Sequence, residues 1–235
     1  MILGNMYFFF FYWVKSPFFE KYKSVQDPWP WETDKQEWDK LFWRSVKLSV
    51  FNAVVMNTIL SLPTILTGQA VPWRYDDNFD SPLRMFVLLI LCSLIENLGF
   101  YTTHSFLHTP LLYKHIHKIH HEHKVTTSIA AIHAHPLEYL IGNAMPSSLG
   151  PLLLGQRMHM SSFFAWNIWR IFNAVSGHSG YDFSWSPFRC FFVTADGKEH
   201  AFHHFVNIGN YSASIWDVVF GTNHGSKTEN HFKSS

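Results

Sequence analysis

Histidine is the residue type in this chain most able to do chemistry: 16 of the 235 residues are His, against 18 Lys plus Arg and 17 Asp plus Glu. None precedes His104, and 14 of the 16 fall between His104 and His204. Three groups recur at helical spacing: His104 with His108 in HSFLH, His117 with His120 and His121 in HKIHH, and His200 with His203 and His204 in HAFHH. Residues at i, i+3 and i+4 share one helix face, so each group is expected to aim its imidazoles at one point. Imidazole in its neutral form binds zinc, iron, copper and nickel. Four ligands satisfy a structural zinc, so eight converging histidines exceed the needs of one ion and point to two metals close together. Any one triplet alone could be the polar face of an amphipathic helix; three together have no such simple account.

Other residues extend the candidate set. His178, in HSGYD, has Asp182 four residues later, which can orient it as a ligand or be a ligand itself. His133 and His135, in HAHPLE, precede a proline expected to open a helix with Glu138 in its first turn. His135 either joins the site or bonds to the helix backbone. Asp182 and His135 therefore stand as candidate catalytic residues beside the metal ligands. His115 and His123 fall off the facing stripe and are expected in solvent, while His159, His224 and His231 read as structural or surface positions. Asn97 lies seven residues before His104 on almost the same face, where it either lines a channel below the metals or bonds a neighbouring helix.

The elements that must position these residues are apolar. Hydrophobic residues make up 47% of the chain and charged ones 15%, with 23 Phe, 10 Trp and 9 Tyr; soluble chains carry about 25% charge, so lipid is expected to cover part of this surface. Leu48 to Trp73 has no formal charge over 26 residues, long enough to cross a bilayer. Leu83 to Leu107 is interrupted only by Arg84, Glu96 and Asn97, and the two segments make a membrane hairpin. Tyr139 to Gln156, broken by Pro146, Gly150 and Pro151, and Met158 to Gly177 make a second hairpin, full or re-entrant. Lys and Arg flank the first hairpin while its turn is slightly acidic, which places both ends on the cytoplasmic side. The expected fold is an all-α integral membrane protein with two transmembrane helical hairpins, about four membrane helices, and a His-rich helical cap on the cytoplasmic side. Residues 1–40 read as an aromatic-rich N-terminal interfacial segment rather than a removable signal, and 41–235 as a single membrane domain.

A formal charge of +1 offers no basic face for nucleic acid. Cys92 and Cys190 form neither a CxxC site nor a disulfide framework. No GxGxxG loop is present to bind a nicotinamide or flavin, so reducing equivalents must come from a partner.

At HSFLH, HKIHHEH, HAHPLE, HSGYD and HAFHHFVNIGNYSASIWDVVFGT the sequence resembles the fatty acid hydroxylase superfamily, and within it the sterol 4-methyl oxidases, from about Leu94 to Thr222. The resemblance implies two metal ions, iron by preference with zinc possible, that use O2 as co-substrate. It also implies electrons from a b-type cytochrome and its reductase, and a sterol or other membrane lipid as substrate. It carries the family's ligands onto His104, His108, His117, His120, His121, His178, His200, His203 and His204, with Asp182 standing where some relatives have a further His. The function expected is hydroxylation of a sterol or related lipid methyl group. The alternatives are a lipid desaturase, a fatty acyl hydroxylase, or a non-catalytic subunit of a larger membrane complex that keeps the fold. The endoplasmic reticulum is the expected location, with the mitochondrial inner membrane or another internal membrane as alternatives.

Overall fold

The two longest apolar runs fold as helices whose ends are set by their own residues. In the computed structural model, which describes residues 1–68, 70–190, 197–212 and 214–224 without the side chains of Arg189, Cys190 and Ser214, helix α1 spans Ile2–Val14 and α2 spans Lys35–Thr67. His231 lies outside the described residues. Asp34 caps α2 by accepting from Glu37 N at 3.0 Å, wide π turns occupy Phe51–Met56, and Gly68 ends the helix in the left-handed region at φ 62°. The apolar run expected to Trp73 therefore stops being helical at Thr67, because Gly68 carries no Cβ to oppose that conformation. Residues 48–67 still rise about 30 Å at 1.5 Å each. Helix α3, Pro82–Leu107, is opened by Pro82 at its first position and ends one residue before His108.

Among the described residues, α2 and α3 are the helices long and apolar enough to cross a membrane, and only 6% and 22% of their apolar windows are buried within the protein. A core helix of a soluble protein would be covered by its neighbours. Here Val54, Ile59, Leu60, Ile65 and Leu66 of α2 and Leu83, Phe86, Val87 and Leu91 of α3 face outward, as residues in contact with lipid do. The protein is thus an all-helical membrane protein, and β-type pairing among the described residues is confined to two isolated bridges.

Two further apolar helices pack on α3. Helix α4 is Pro110–His115, and α5 runs over residues 136–154, with wide π turns at Tyr139–Ala144. Helix α6 is Met160–Gly177, α7 is Gly197–Val206 and α8 is Ser214–Val219. Helix α5 lies so close to α3 that a Cβ on Gly150 would stand 2.9 Å from Cys92 Cα, the close approach that small residues permit between membrane helices. Trp166 of α6 donates to the Ser147 carbonyl at 3.0 Å and ties α6 to α5.

The tips of the loops joining α2 to α3 and α5 to α6 meet at one end of the molecule. Arg74 N donates to Met158 O at 2.8 Å and Met160 N to Arg74 O at 2.9 Å. At the centre sits Asp80, whose side chain is fully buried and accepts from Arg74, Arg84, Ser162 Oγ and His159 N. Burial alone would raise its carboxyl pKa; the hydrogen bonds and the two guanidinium groups win and hold it below the usual value. From these tips α3 and α6 run together to the opposite end, where the histidines lie.

Helix α1, 13 residues long, rises about 20 Å and is too short to cross. Its Phe8, Phe11 and Tyr12 pack with Trp29, Val175, Tyr181 and Phe183 in one core, while Leu3, Met6, Phe10 and Trp13 face outward. Tyr12 OH donates to Ser179 O at 2.6 Å, so this core braces the HSGYD loop from behind. Gly180 in that loop adopts φ 73°, and a Cβ there would meet Thr126 O at 2.6 Å.

Candidate metal centre

The nine histidines form two adjoining groups. His104, His108, His117, His121 and His203 bring one nitrogen each within 4.8 Å of one another, and His120, His178, His200 and His204 do the same. Ring centroids of His121 and His204, one from each group, are 4.6 Å apart. The split does not follow the sequence groups. Each i, i+4 pair stays together, but the i+3 member crosses over: His120 leaves His117 and His121, and His203 leaves His200 and His204. The expectation that HKIHH and HAFHH each aim at one point is corrected accordingly.

The reason lies in what holds the other ring nitrogen. His117 Nδ1 is bonded to Glu138 Oε1 at 2.7 Å, whereas His120 Nδ1 donates to the His133 carbonyl at 3.1 Å, which turns its Nε2 toward His178. His203 Nδ1 donates to Gly209 O at 2.6 Å and His104 Nδ1 to Tyr211 O at 2.5 Å. His178 Nδ1 donates to Ala174 O at 2.8 Å. A proton held at Nδ1 leaves a bare lone pair on Nε2, the form in which imidazole binds a metal.

The Nε2 atoms of the first group face each other. His117 Nε2 lies 3.0 Å from His104 Nε2, 2.9 Å from His108 Nε2 and 3.0 Å from His121 Nε2, and His108 Nε2 lies 3.1 Å from His203 Nε2. With the Glu138 carboxyl ionised, the His117 proton sits on Nδ1, and the Nε2 lone pairs of His104 and His117 then repel unless a cation stands between them. Two imidazole nitrogens about 2.1 Å from one ion and at right angles are about 3.0 Å apart, so the spacing fits. In the second group His120 and His178 Nε2 atoms are 3.2 Å apart and His178 and His200 are 2.8 Å apart. Both ring nitrogens of His204, with Nδ1 of His121 and of His200, are buried without a hydrogen-bond partner among the described residues. The donor set, the orphaned atoms and the spacing all suit two metal ions.

Electrostatics points the same way. Burial pulls His108 and His178 down to about 4 and His121 to about 3. Burial first and mutual repulsion second hold His117, His120, His200, His203 and His204 below the ordinary imidazole range. These rings are therefore neutral at pH 7, as metal binding requires. Burial also pushes the Glu138 carboxyl well above its ordinary value, so its anion beside His117 is a form that a nearby cation would favour.

The remaining candidates lie elsewhere. Asp182 belongs to neither group, and its backbone N donates to Tyr22 O at 2.8 Å. His135 caps α5, its Nδ1 accepting from Leu137 N at 3.1 Å. His133 is buried, with Nδ1 2.8 Å from Ser45 Oγ and Nε2 3.0 Å from Glu122 Oε2. His123, expected in solvent, is 1% exposed: off the metal-facing stripe it meets α2 rather than water, with Nε2 2.9 Å from Ser45 Oγ. His115 and His224 are exposed, and His159 caps α6.

The orienting partners are not legible in the sequence. Glu138 was legible only as a first-turn acid. The carbonyls of Gly209 and Tyr211 come from the IGNY turn, which Asp217 pins by accepting from Tyr211 N and Ser212 N, both at 2.8 Å, and from Thr222 Oγ1 at 2.7 Å.

A partly open cavity adjoins both groups. His104, His117, His120, His178 and His200 line it, Phe100, Leu107, Ala131, Gly142 and Ala174 add apolar surface, and Asn97 lines it too, one of the two roles its spacing allowed.

Comparison with known proteins agrees in extent with this site. The family model described as fatty acid hydroxylase matches residues 89–222, which include all nine histidines. Methylsterol monooxygenase 1 of Gallus gallus is 33% identical over 88% of this chain and 67% of its own length. The Rattus norvegicus protein of that name is 33% identical over 88% and 68%. A fatty acid hydroxylase of Mycosarcoma maydis is 34% identical over 76% of this chain and 44% of its own. No solved structure matches.

Proposed function

The chain belongs to the fatty acid hydroxylase family, and from that premise we propose that it is a membrane monooxygenase that oxidises a methyl group of a sterol or related lipid. The observation that carries the reading is the pair of adjoining histidine groups, members of both of which line one cavity. The first group, His104, His108, His117, His121 and His203, would hold one ion, and His120, His178, His200 and His204 the second. Two irons so held would supply the redox chemistry that activates O2, with two electrons from a b-type cytochrome and its reductase. The net reaction is R–CH3 + O2 + 2e⁻ + 2H⁺ giving R–CH2OH + H2O.

The chain's own groups do the positioning. Glu138 and the carbonyls of Tyr211, Gly209, His133 and Ala174 fix the tautomers and ring planes before any substrate arrives. Phe100, Leu107, Ala131 and Ala174 keep water from the reacting carbon and give an apolar lipid its contact surface. His135 and Asp182 are supporting residues in this reading, the first at the head of α5 and the second at the end of the HSGYD loop, whose backbone α1 braces through Tyr12. Residues 41–235 act as one hydroxylase-like membrane domain with 1–40 as its interfacial segment, and the endoplasmic reticulum is the compartment that supplies both lipid and electron donors.

The test is product analysis with a methyl-labelled 4-methylsterol, the purified chain, iron, and a reconstituted electron donor. A hydroxymethyl sterol is expected. Recovery of only a new double bond, or of an oxidised acyl chain from the carrier lipid, would move the protein to the desaturase or acyl hydroxylase reading that the Mycosarcoma maydis relative favours. A stable complex holding metal without turnover would mark a non-catalytic subunit.

A further inference from the structure

One wall of the cavity carries polar groups that neither histidine group uses. Arg170 of α6 donates from Nε to Glu96 Oε1 at 2.6 Å, and from Nη2 to the carbonyl of Asn143 at 3.1 Å and its Oδ1 at 3.4 Å. Its Nη1 makes no hydrogen bond to a described residue. One turn further along α6, on the same face, the side-chain oxygen of Asn173 is buried and accepts no hydrogen bond among the described residues. Both side chains line the cavity, and α6 continues from Asn173 to the ligand candidate His178 with a climb of about 7.5 Å.

Glu96 offsets the Arg170 charge, so this wall offers a neutral polar site rather than an anion trap. An unused donor and an unused acceptor one turn apart complement a hydroxyl group, which accepts one hydrogen bond and donates one. We propose that Arg170 Nη1 and Asn173 Oδ1 bind the hydroxyl of the lipid substrate and so seat its methyl group against the histidine groups. A carboxylate would set an anionic oxygen against Asn173 Oδ1. A hydrocarbon would leave both groups buried and unpaired, which disfavours it more than loss of the bond alone. Arg170 and Asn173 are thus specificity-determining residues. The inference rests on the reading of the cavity as the substrate chamber.

Equilibrium binding tests it, using the full chain loaded with iron in lipid nanodiscs. The two probes are a radiolabelled 4-methylsterol and its deoxy analogue, in which hydrogen replaces the ring hydroxyl. The deoxy analogue is expected to bind about 10- to 100-fold more weakly, and Asn173→Leu to shrink that ratio to about threefold while metal content stays at the wild-type value. Equal affinity of the two probes for the wild-type chain would overturn the hydroxyl site and leave the chamber reading standing; this comparison decides even where Asn173→Leu fails to fold. A ratio unchanged in a folded Asn173→Leu variant would remove Asn173 from the site. Binding of neither probe would overturn the chamber reading and this inference with it.

Discussion

Glu138→Ala isolates the contribution of a residue that touches no metal ligand atom. His117 is the hub of the first group, with three Nε2 neighbours at 2.9–3.0 Å. Its ring is turned by one bond, Nδ1 to Glu138 Oε1 at 2.7 Å, made between side chains 1% and 4% exposed. A hydrogen bond with a charged partner contributes about 1.5–3 kcal/mol, which at 1.36 kcal/mol per decade is roughly 10- to 150-fold in affinity. That range matches the 10- to 100-fold usual when a carboxylate behind a ligating histidine is removed. The assay is a competition titration of metal-free protein against a chromophoric chelator. One of two binding steps should weaken by that factor while the other stays in place, because His120 is held by a backbone carbonyl and not by Glu138. Glu138→Gln should lose less, since an amide oxygen still accepts from Nδ1–H. Glu122→Ala is the control: its carboxylate contacts His133 and Arg44, and both steps should stay within about threefold. Wild-type affinity in Glu138→Ala, or equal losses in Glu138→Ala and Glu122→Ala, would refute the reasoning.

Three further perturbations separate the site from its supports. Asp217→Ala removes the acceptor of three hydrogen bonds that shape the turn presenting Gly209 O and Tyr211 O; stability should fall by about 3 kcal/mol, and first-group metal should be lost before second-group metal on dialysis. Asp80→Ala at the opposite end should lower the unfolding temperature through loss of about 3 kcal/mol with metal stoichiometry unchanged. Because folding lowers the Asp80 pKa, its contribution is fully present above the unfolded value of about 3.9 and is lost as pH falls through the folded value; the difference in unfolding temperature between wild type and Asp80→Ala should therefore be flat from pH 8 to 5. Gly150→Val drives a side chain into Cys92 at 2.9 Å and should cost about 1–3 kcal/mol, read as a lower unfolding temperature.

Much of the site is legible along the chain because its chemistry repeats at helical spacing. His104 with His108 and His200 with His204 need only the 3.6-residue period to be placed together, and the apolar run after Leu48 needs only its length. The parts that were not legible depend on partners far away in sequence. Which metal group His120 joins is decided by the carbonyl of His133, and the orientation of His104 by a carbonyl 107 residues later. His123 lies off the metal-facing stripe, and spacing alone does not reveal that Ser45, 78 residues earlier, occupies that side. The role of the aromatic start is hidden for the same reason: Tyr12 supports Ser179 across 167 residues. Helix periodicity reports faces, whereas only tertiary contacts report what each face meets.

The central claim is that two ions are held by two separable histidine groups, and elemental analysis of the purified chain tests it most directly. Wild type should carry two metal ions per chain, His203→Ala and His120→Ala should each fall to about one while remaining membrane-inserted, and the double variant should carry none. Two ions per chain in both single variants, or none in a folded wild-type protein, would contradict the account.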